Sequence, residues 1–153
     1  METQKHVLLF DDDYQSMSAL KEAIQEELGW DVELTAASSL LTRLADERFD
    51  LIIADLMIHS TSFDQDGEVV HNVHYPGINW RVTGLEFLKR LRAGDYSSSS
   101  PQSTPPDVPV IVLSAVADES VIQDIQRGIS QWHAEKPFRL EPLIDLVRAA
   151  VEG

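Results

Sequence analysis

The residues best suited to chemistry in this chain are aspartates that directly follow two apolar segments. Asp11, Asp12 and Asp13 follow the first such segment, and Asp55 follows the third. If the two segments are neighbouring strands of one parallel sheet, these carboxylates converge at one edge of it. Crowded carboxylates repel one another, and a hard cation with oxygen ligands relieves the repulsion; Mg²⁺ is favoured where water and phosphate supply the remaining ligands. The pattern therefore predicts a Mg²⁺ site.

Two further polar residues follow the last two apolar segments. Ser114 ends the fourth segment, and Lys136, with Pro137 after it, follows the fifth. A hydroxyl and an ammonium group can both hold phosphoryl oxygens while a carboxylate attacks phosphorus. Together with the aspartates, this set indicates phosphoryl-transfer chemistry.

Five short apolar segments alternate with stretches of helical periodicity. Segments that are apolar throughout are buried on both faces, which is typical of a parallel sheet covered by helices. Five such units predict an α/β fold, a doubly wound five-stranded parallel sheet with helices on both faces, in a single domain spanning residues 1–153. The predicted strands are residues 7–10, 32–36, 51–54, 110–113 and 131–134.

Two segments interrupt this alternation. Residues 94–107 are rich in Ser and Pro and predict a mobile loop, because they bury too little apolar surface to order themselves. Residues 59–82 predict an inserted hairpin, since Pro76-Gly77 favours a type II turn, and we expect residues 68–82 to form it. Its apolar face would be a contact surface or would pack on its own domain. That face comprises Val69, Val73, Tyr75, Ile78, Trp80 and Val82.

Composition narrows the class of protein. The net charge is -14, from 26 acidic against 12 basic residues, which disfavours direct binding to nucleic acid or to an anionic membrane. The chain has no cysteine, so disulfides and thiol nucleophiles are excluded. Its apolar runs are far shorter than the roughly 20 residues of a membrane helix, and three aspartates interrupt the run that a signal peptide would need. We expect a cytoplasmic protein.

The motifs HVLLFDDD, FDLIIADLM, VPVIVLSA and EKPF occur in this order, each at the end of a predicted strand. In these motifs the chain resembles the receiver domains of bacterial two-component systems, the CheY-like domains of response regulators, over nearly its whole length. The resemblance implies a flavodoxin-like strand order of 2-1-3-4-5. It also implies phosphorylation by a histidine kinase or a histidine phosphotransfer protein, and a switched surface that a downstream effector protein reads.

The resemblance implies that Asp55 is the phosphoacceptor and also one of the Mg²⁺ ligands. Asp12 and the backbone carbonyl of Met57 correspond to direct ligands, and Asp11 to a ligand through water. The chain is then a signalling phosphoacceptor and not an enzyme. No output domain follows the last predicted helix, so we expect the signal to pass to a partner protein, unless the chain is one piece of a longer polypeptide. A second copy of the chain, forming a homodimer, is an alternative partner.

The switching residues include one departure from the family pattern. Ser114 corresponds to the hydroxyl that moves to the phosphoryl group, and Lys136 to the lysine that pairs with it, followed by a proline whose peptide bond is expected to be cis. His133 stands where the family usually has Tyr or Phe, so we expect switching that is weak or dependent on pH. Ile58-His59 also stand where the family usually has a proline after the phosphoacceptor strand.

Other interpretations start from the same residues. A haloacid-dehalogenase-like phosphatase would use Asp11 and Asp13, although that family has Thr or Val where this chain has Gln15. A flavin-binding domain of the same fold class would place a phosphate where three carboxylates stand. A degenerate receiver that serves only as an interaction module is a third alternative. A second metal site at His71 and His74 has only loose spacing, which a polar hairpin face explains equally well.

Overall fold

The computed structural model describes residues 4–115 and 119–152, and a parallel sheet of five strands lies at its centre. In chain order the strands are β1 His6–Phe10, β2 Asp31–Leu34, β3 Leu51–Asp55, β4 Thr61–Phe63, β5 Val69–His71, β6 Val110–Ser114 and β7 Trp132–Glu135. The central sheet has the order β2-β1-β3-β6-β7, and β4 and β5 form a separate pair. The predicted flavodoxin-like order is confirmed.

Five α-helices in the described residues cover the two faces of the sheet. They are α1 Tyr14–Leu28, α2 Leu40–Arg43, α3 Thr83–Arg92, α4 Glu119–Gln126 and α5 Leu140–Glu152. Apolar side chains of α1 and α5 pack on one face, and those of α2, α3 and α4 pack on the other. None of the helices in the described ranges has the length and apolar character needed to cross a bilayer.

The two cores follow from the alternation of side chains along each strand. Leu8 and Phe10 of β1 belong to the core under α3, whereas Val7 and Leu9 belong to the core under α1. All four side chains are fully buried, and burial of a side chain of this size stabilises the fold by about 1.5–3 kcal/mol. Burial on both faces explains why the strands are apolar throughout.

An inserted hairpin follows β3, as predicted, but its strands and its turn differ from the prediction. Residues 68–82 do not pair with one another; instead β4 pairs antiparallel with β5. Oδ1 of Asp64 accepts hydrogen bonds from the backbone N–H groups of Asp66 and Glu68, both at 2.9 Å, and Gly67 adopts a φ of 79°. An aspartate that closes a turn on its own backbone, followed by glycine, is a strong turn former.

Pro76-Gly77 form the predicted type II turn, but no strands flank it. The N–H of Ile78 donates to the carbonyl of Tyr75 at 3.0 Å, and Gly77 has a φ of 82°. The predicted apolar face is divided between core and solvent. Val73 and Tyr75 are buried, Ile78 and Val82 pack against the core, and Val69 and Trp80 are exposed. Most of this face therefore packs on its own domain.

Residues 94–107 contain no helix or strand, yet the segment is anchored to the domain. Thr104 is fully buried; its Oγ1 donates to the carbonyl of Glu47 at 2.6 Å and accepts a hydrogen bond from the N–H of Phe49 at 3.0 Å. The mobility expected for this segment stays a prediction.

Arg92, the last residue of α3, connects three segments at the amino ends of the strands. Its Nη1 donates to the carbonyls of Pro106 at 2.8 Å and Val108 at 2.6 Å, and its Nε donates to the carbonyl of Ile129 at 3.1 Å. The guanidinium group thus supplies hydrogen-bond donors to three backbone carbonyls in irregular segments, where regular secondary structure would supply backbone N–H groups.

Candidate functional site

The carboxyl ends of β1 and β3 bring three aspartates together. Asp11, Asp12 and Asp55 each offer a carboxylate oxygen, and these oxygens lie within 4.8 Å of one another. Because β1 and β3 are adjacent parallel strands, the residues at their ends lie side by side. Among the described residues, this acidic cluster is the only group of three or more His, Cys, Asp or Glu side chains with the spacing of a metal site.

Other candidate residues lie outside the acidic cluster. Oδ1 of Asp13 accepts a hydrogen bond from the N–H of Ser16 at 3.1 Å and so caps α1. His71 and His74 belong to no metal-binding group in the part of the chain that the structure describes. The capping role of Asp13 speaks against a dehalogenase-like site built on Asp11 and Asp13.

The carboxylate of Asp55 is held at both oxygens. Oδ1 accepts hydrogen bonds from the N–H of Leu56 at 2.8 Å and, more weakly, from that of Met57 at 3.4 Å. Oδ2 accepts one from Nζ of Lys136 at 3.3 Å. Asp55 is buried but retains 8% of its exposure, so a small reactant can reach a carboxylate whose orientation is already set.

Lys136 supplies positive charge to the site. Its Nζ lies 2.7 Å from Oδ2 of Asp11 and 3.3 Å from Oδ2 of Asp55. The N–H of Lys136 donates to the carbonyl of Ser114 at 2.9 Å, and the bond to Pro137 is cis. Burial by itself would lower the pKa of Lys136, but the charges of the two aspartates outweigh it and raise that pKa. The ammonium group therefore stays charged at neutral pH.

One lysine does not neutralise the acidic cluster. Burial raises the pKa of Asp11 to about 6, opposed by Lys136 and increased further by the charge of Asp55. Burial also raises the pKa of Asp55. A divalent cation would supply the missing positive charge, and a donor set made only of carboxylate oxygens suits a hard cation such as Mg²⁺. The residues present thus fit the cation predicted from the sequence.

The remaining predicted residues lie around this cluster. Met57 and Ser114 line a cavity of about 610 Å³ that also borders Trp80. Ser114 is buried at the end of β6, which pairs with β3. His133 lies opposite Val112 in the pairing of β6 with β7, and its Nε2 is buried with no hydrogen-bond partner among the described residues.

Gly84, near the start of α3, is a site residue that our sequence reasoning missed. Its N–H donates to the carbonyl of Leu56 at 2.8 Å. A Cβ atom at this position would lie 1.9 Å from the carbonyl oxygen of Asp55, far inside van der Waals contact. Glycine therefore allows α3 to lie directly against the peptide group of Asp55. A lone glycine in a helical pattern carries no signal of such a contact.

Two solved receiver domains superpose on nearly the entire chain. The receiver domain of a Francisella response regulator is 23% identical, covers 97% of this chain and 98% of its own, and has a TM-score of 0.66. The receiver domain of a sensor histidine kinase from Pseudomonas aeruginosa is 20% identical, covers 99% of this chain and 100% of its own, and has a TM-score of 0.61. The chain has the receiver-domain fold. A magnesium ion is coordinated in the active-site cleft of the second of these structures.

The sequence of this chain is also similar to that of a curated protein. The C4-dicarboxylate transport transcriptional regulatory protein DctD of Pseudomonas aeruginosa is 28% identical over 151 residues, which are 99% of this chain and 26% of DctD. The chain thus spans about a quarter of the length of that relative. No protein-family model matches the chain. The resemblance to response regulators that the four sequence motifs predict is confirmed.

In the metal-free protein, Asp11→Asn is expected to raise the free energy of unfolding near neutral pH. Because folding raises the pKa of Asp11 from 3.8 to about 6, the folded state loses stability as the pH rises through this interval. The shift corresponds to at most about 3 kcal/mol, so we expect a gain of about 1–3 kcal/mol near pH 7 and none below pH ~4. Urea unfolding at the two pH values, with a chelator present, measures the free energy of unfolding of the parent and of the variant.

The matched control is Asp46→Asn, which removes the same charge from an exposed side chain. We expect that variant to change stability little at either pH. A less stable Asp11→Asn protein near neutral pH would contradict the prediction.

Proposed function

We propose that this chain is a phosphoacceptor receiver domain of a two-component or phosphorelay system, in which Asp55 is phosphorylated with the help of Mg²⁺. The observation that carries the proposal is the position of the Asp55 carboxylate. One of its oxygens is held by backbone N–H groups, the other lies 3.3 Å from Nζ of Lys136, and two further carboxylates lie beside it.

In the proposed reaction, a carboxylate oxygen of Asp55 forms a bond to the phosphorus of the donor. The bond from phosphorus to the donor nitrogen or oxygen breaks, and the leaving group keeps its electron pair and takes a proton from solvent. Asp11, Asp12, Asp55 and the carbonyl of Met57 would hold the Mg²⁺ ion, which supplies positive charge against the incoming phosphoryl oxygens.

The residues of the chain supply the rest of the chemistry. Lys136, fixed between Asp11 and Asp55, would pair with a phosphoryl oxygen. The hydroxyl of Ser114 would bind another phosphoryl oxygen and so report phosphorylation to β6. His133, on the neighbouring strand, is proposed to follow Ser114, with the weak or pH-dependent coupling predicted above.

The proposal also includes the proteins that would phosphorylate this domain and respond to its phosphorylation. The phosphodonor would be a histidine kinase or a histidine phosphotransfer protein, and the output would be read by an effector protein in the cytoplasm. In this role the domain accepts one phosphoryl group on Asp55 and does not catalyse the conversion of another molecule. A degenerate receiver is the alternative, and the complete set of acidic cluster, hydroxyl and lysine favours the active form.

Intact-mass spectrometry after incubation with a small phosphodonor and Mg²⁺ tests the proposal. We expect the mass of one phosphoryl group to appear on the parent protein, to require the metal, and to be lost on mild base treatment, as acyl phosphates are. Asp55→Asn is expected to remain unmodified. Asp66→Asn, which removes an exposed carboxylate from the hairpin turn, is the matched control and should be labelled normally. Labelling of Asp55→Asn at the parental level would refute the assignment.

A further inference from the structure

The insertion after β3 reaches back to the acidic cluster through His59. The backbone N–H of His59 donates to Oδ2 of Asp12 at 2.8 Å, and the ring Nδ1 lies 2.9 Å from the same oxygen. An ionised carboxylate only accepts hydrogen bonds, so Nδ1 is the donor in this contact. Among the described residues no other donor contacts the Asp12 carboxylate, which leaves Oδ1 available to a cation.

Three contacts hold His59 in this position. Its ring stacks on Trp80, with the centroids 4.4 Å apart and the planes inclined by 22°. The N–H of Ile58 donates to the carbonyl of Trp80 at 3.0 Å, and the side-chain amide of the buried Asn72 donates to the carbonyl of His59 at 2.8 Å. The ring is therefore placed by the packing of the insertion, although the side chain is 60% exposed.

The contact between His59 and Asp12 differs from an ordinary surface ion pair. Pairs between two exposed groups contribute little, because water competes for both. The side chain of Asp12, in contrast, is only 9% exposed, and both donors come from one residue whose backbone is fixed. Hydrogen bonds of this kind orient ligating carboxylates, and their loss typically weakens metal binding by about 10- to 100-fold.

The geometry points to His59 as a positioning residue that orients Asp12 for the divalent cation, so that the insertion takes part in metal binding. This inference rests on the proposed function, in which Asp12 is a Mg²⁺ ligand. His59 itself is not a member of the acidic cluster. His59 affects the cation by orienting Asp12, and Trp80 contributes by holding the ring of His59 in place.

Calorimetric titration with Mg²⁺ at one fixed pH tests the inference on the parent and three variants. His59→Phe keeps a ring against Trp80 and the backbone N–H donor but removes the ring donor, and we expect Mg²⁺ binding about tenfold weaker. In His59→Asn the amide nitrogen can take the place of Nδ1, so we expect an affinity within about twofold of the parent. His74→Phe is the matched control, because His74 lines the same cavity as His59 but, among the described residues, forms no hydrogen bond with Asp12.

Unchanged melting temperatures of the metal-free variants are expected, and they would separate this role from a general loosening of the fold. Equal Mg²⁺ affinities of the parent and His59→Phe would overturn the inference, as would an equal loss in His59→Phe and His59→Asn. A larger loss for Mn²⁺ than for Mg²⁺ in His59→Phe would identify His59 as a ligand, since imidazole favours transition metals, and would overturn its positioning role.

Failure of this inference can be told apart from failure of the proposed function. The proposed function is read from phosphoryl incorporation at Asp55 in the parent protein, whereas the inference is read from metal affinity. If the parent protein binds Mg²⁺ but is not labelled, the proposed function is refuted. The Mg²⁺ affinities of the His59 variants would then still test the inference. A parent that binds no divalent cation would overturn the inference directly.

Discussion

Replacement of Asp12 by alanine is expected to lower phosphoryl incorporation at Asp55 by about two orders of magnitude or more. The substitution removes one of the three carboxylates of the acidic cluster and thereby a ligand of the proposed Mg²⁺ site. Without the cation, a negatively charged phosphodonor meets Asp11 and Asp55, whose charges Lys136 offsets only in part. Intact-mass spectrometry over time, with a small phosphodonor and Mg²⁺, measures the rate.

The matched control for this substitution is Asp13→Asn. It removes the same charge from the next residue, and asparagine caps a helix about as well as aspartate, so α1 should keep its N-terminus. We expect Asp13→Asn to be labelled at nearly the parental rate. An equal loss in both variants would trace the effect to net charge rather than to a metal ligand, and parental labelling of Asp12→Ala would contradict the role of Asp12.

Gly84→Ala is expected to lower the free energy of unfolding by about 3 kcal/mol, at the upper end of the range for overpacked sites. The added Cβ would lie 1.9 Å from the carbonyl oxygen of Asp55 and 2.7 Å from Cα of Leu56. Both are backbone atoms, so the collision is relieved only by moving α3 or the end of β3. Urea unfolding measures the loss of stability, and we also expect slower labelling because Asp55 itself is displaced.

Gly128→Ala provides the comparison for this prediction. A Cβ at Gly128 meets no atom within 4 Å, and its backbone does not need a positive φ. We expect that variant to be neutral or slightly more stable, because alanine restricts the unfolded chain. A loss of less than about 0.5 kcal/mol in Gly84→Ala, close to the effect of an ordinary surface substitution, would show that α3 yields without cost.

The strands of the sheet can be predicted from the sequence because the cause of their apolar pattern is local. Strands that are buried on both faces must be apolar at every position, so the sheet is visible in the sequence. Residues at the carboxyl ends of adjacent parallel strands are neighbours, so Asp11 and Asp55 are expected to converge if β1 and β3 are adjacent. The strand order itself came from the resemblance to receiver domains, since periodicity does not order strands.

The hairpin was placed wrongly because two turn signals compete within the insertion. Pro76-Gly77 is a strong turn signal in the sequence, but the turn that joins β4 to β5 is closed by the side chain of Asp64. Alternation of side chains also fails beyond His71, where β5 ends and the chain turns into the core at Val73.

The contacts of Gly84 and His59 could not be predicted, because each depends on how a distant segment returns to the sheet. Asp12 and His59 are 47 residues apart, and neither residue type signals the contact. The same limit applies to Thr104, which is polar yet fully buried. Composition predicts that such a residue lies in a loop, but it does not reveal which groups form hydrogen bonds with its side chain.

The contacts of Arg92 fix the C-terminal end of α3 to two neighbouring segments. The guanidinium group binds the carbonyls of Pro106, Val108 and Ile129 at the edge of the sheet opposite to Asp55, close to where α3 and α4 end. These hydrogen bonds therefore join the C-terminal end of α3 to the segments that precede β6 and follow α4, on the side of the sheet away from the acidic cluster.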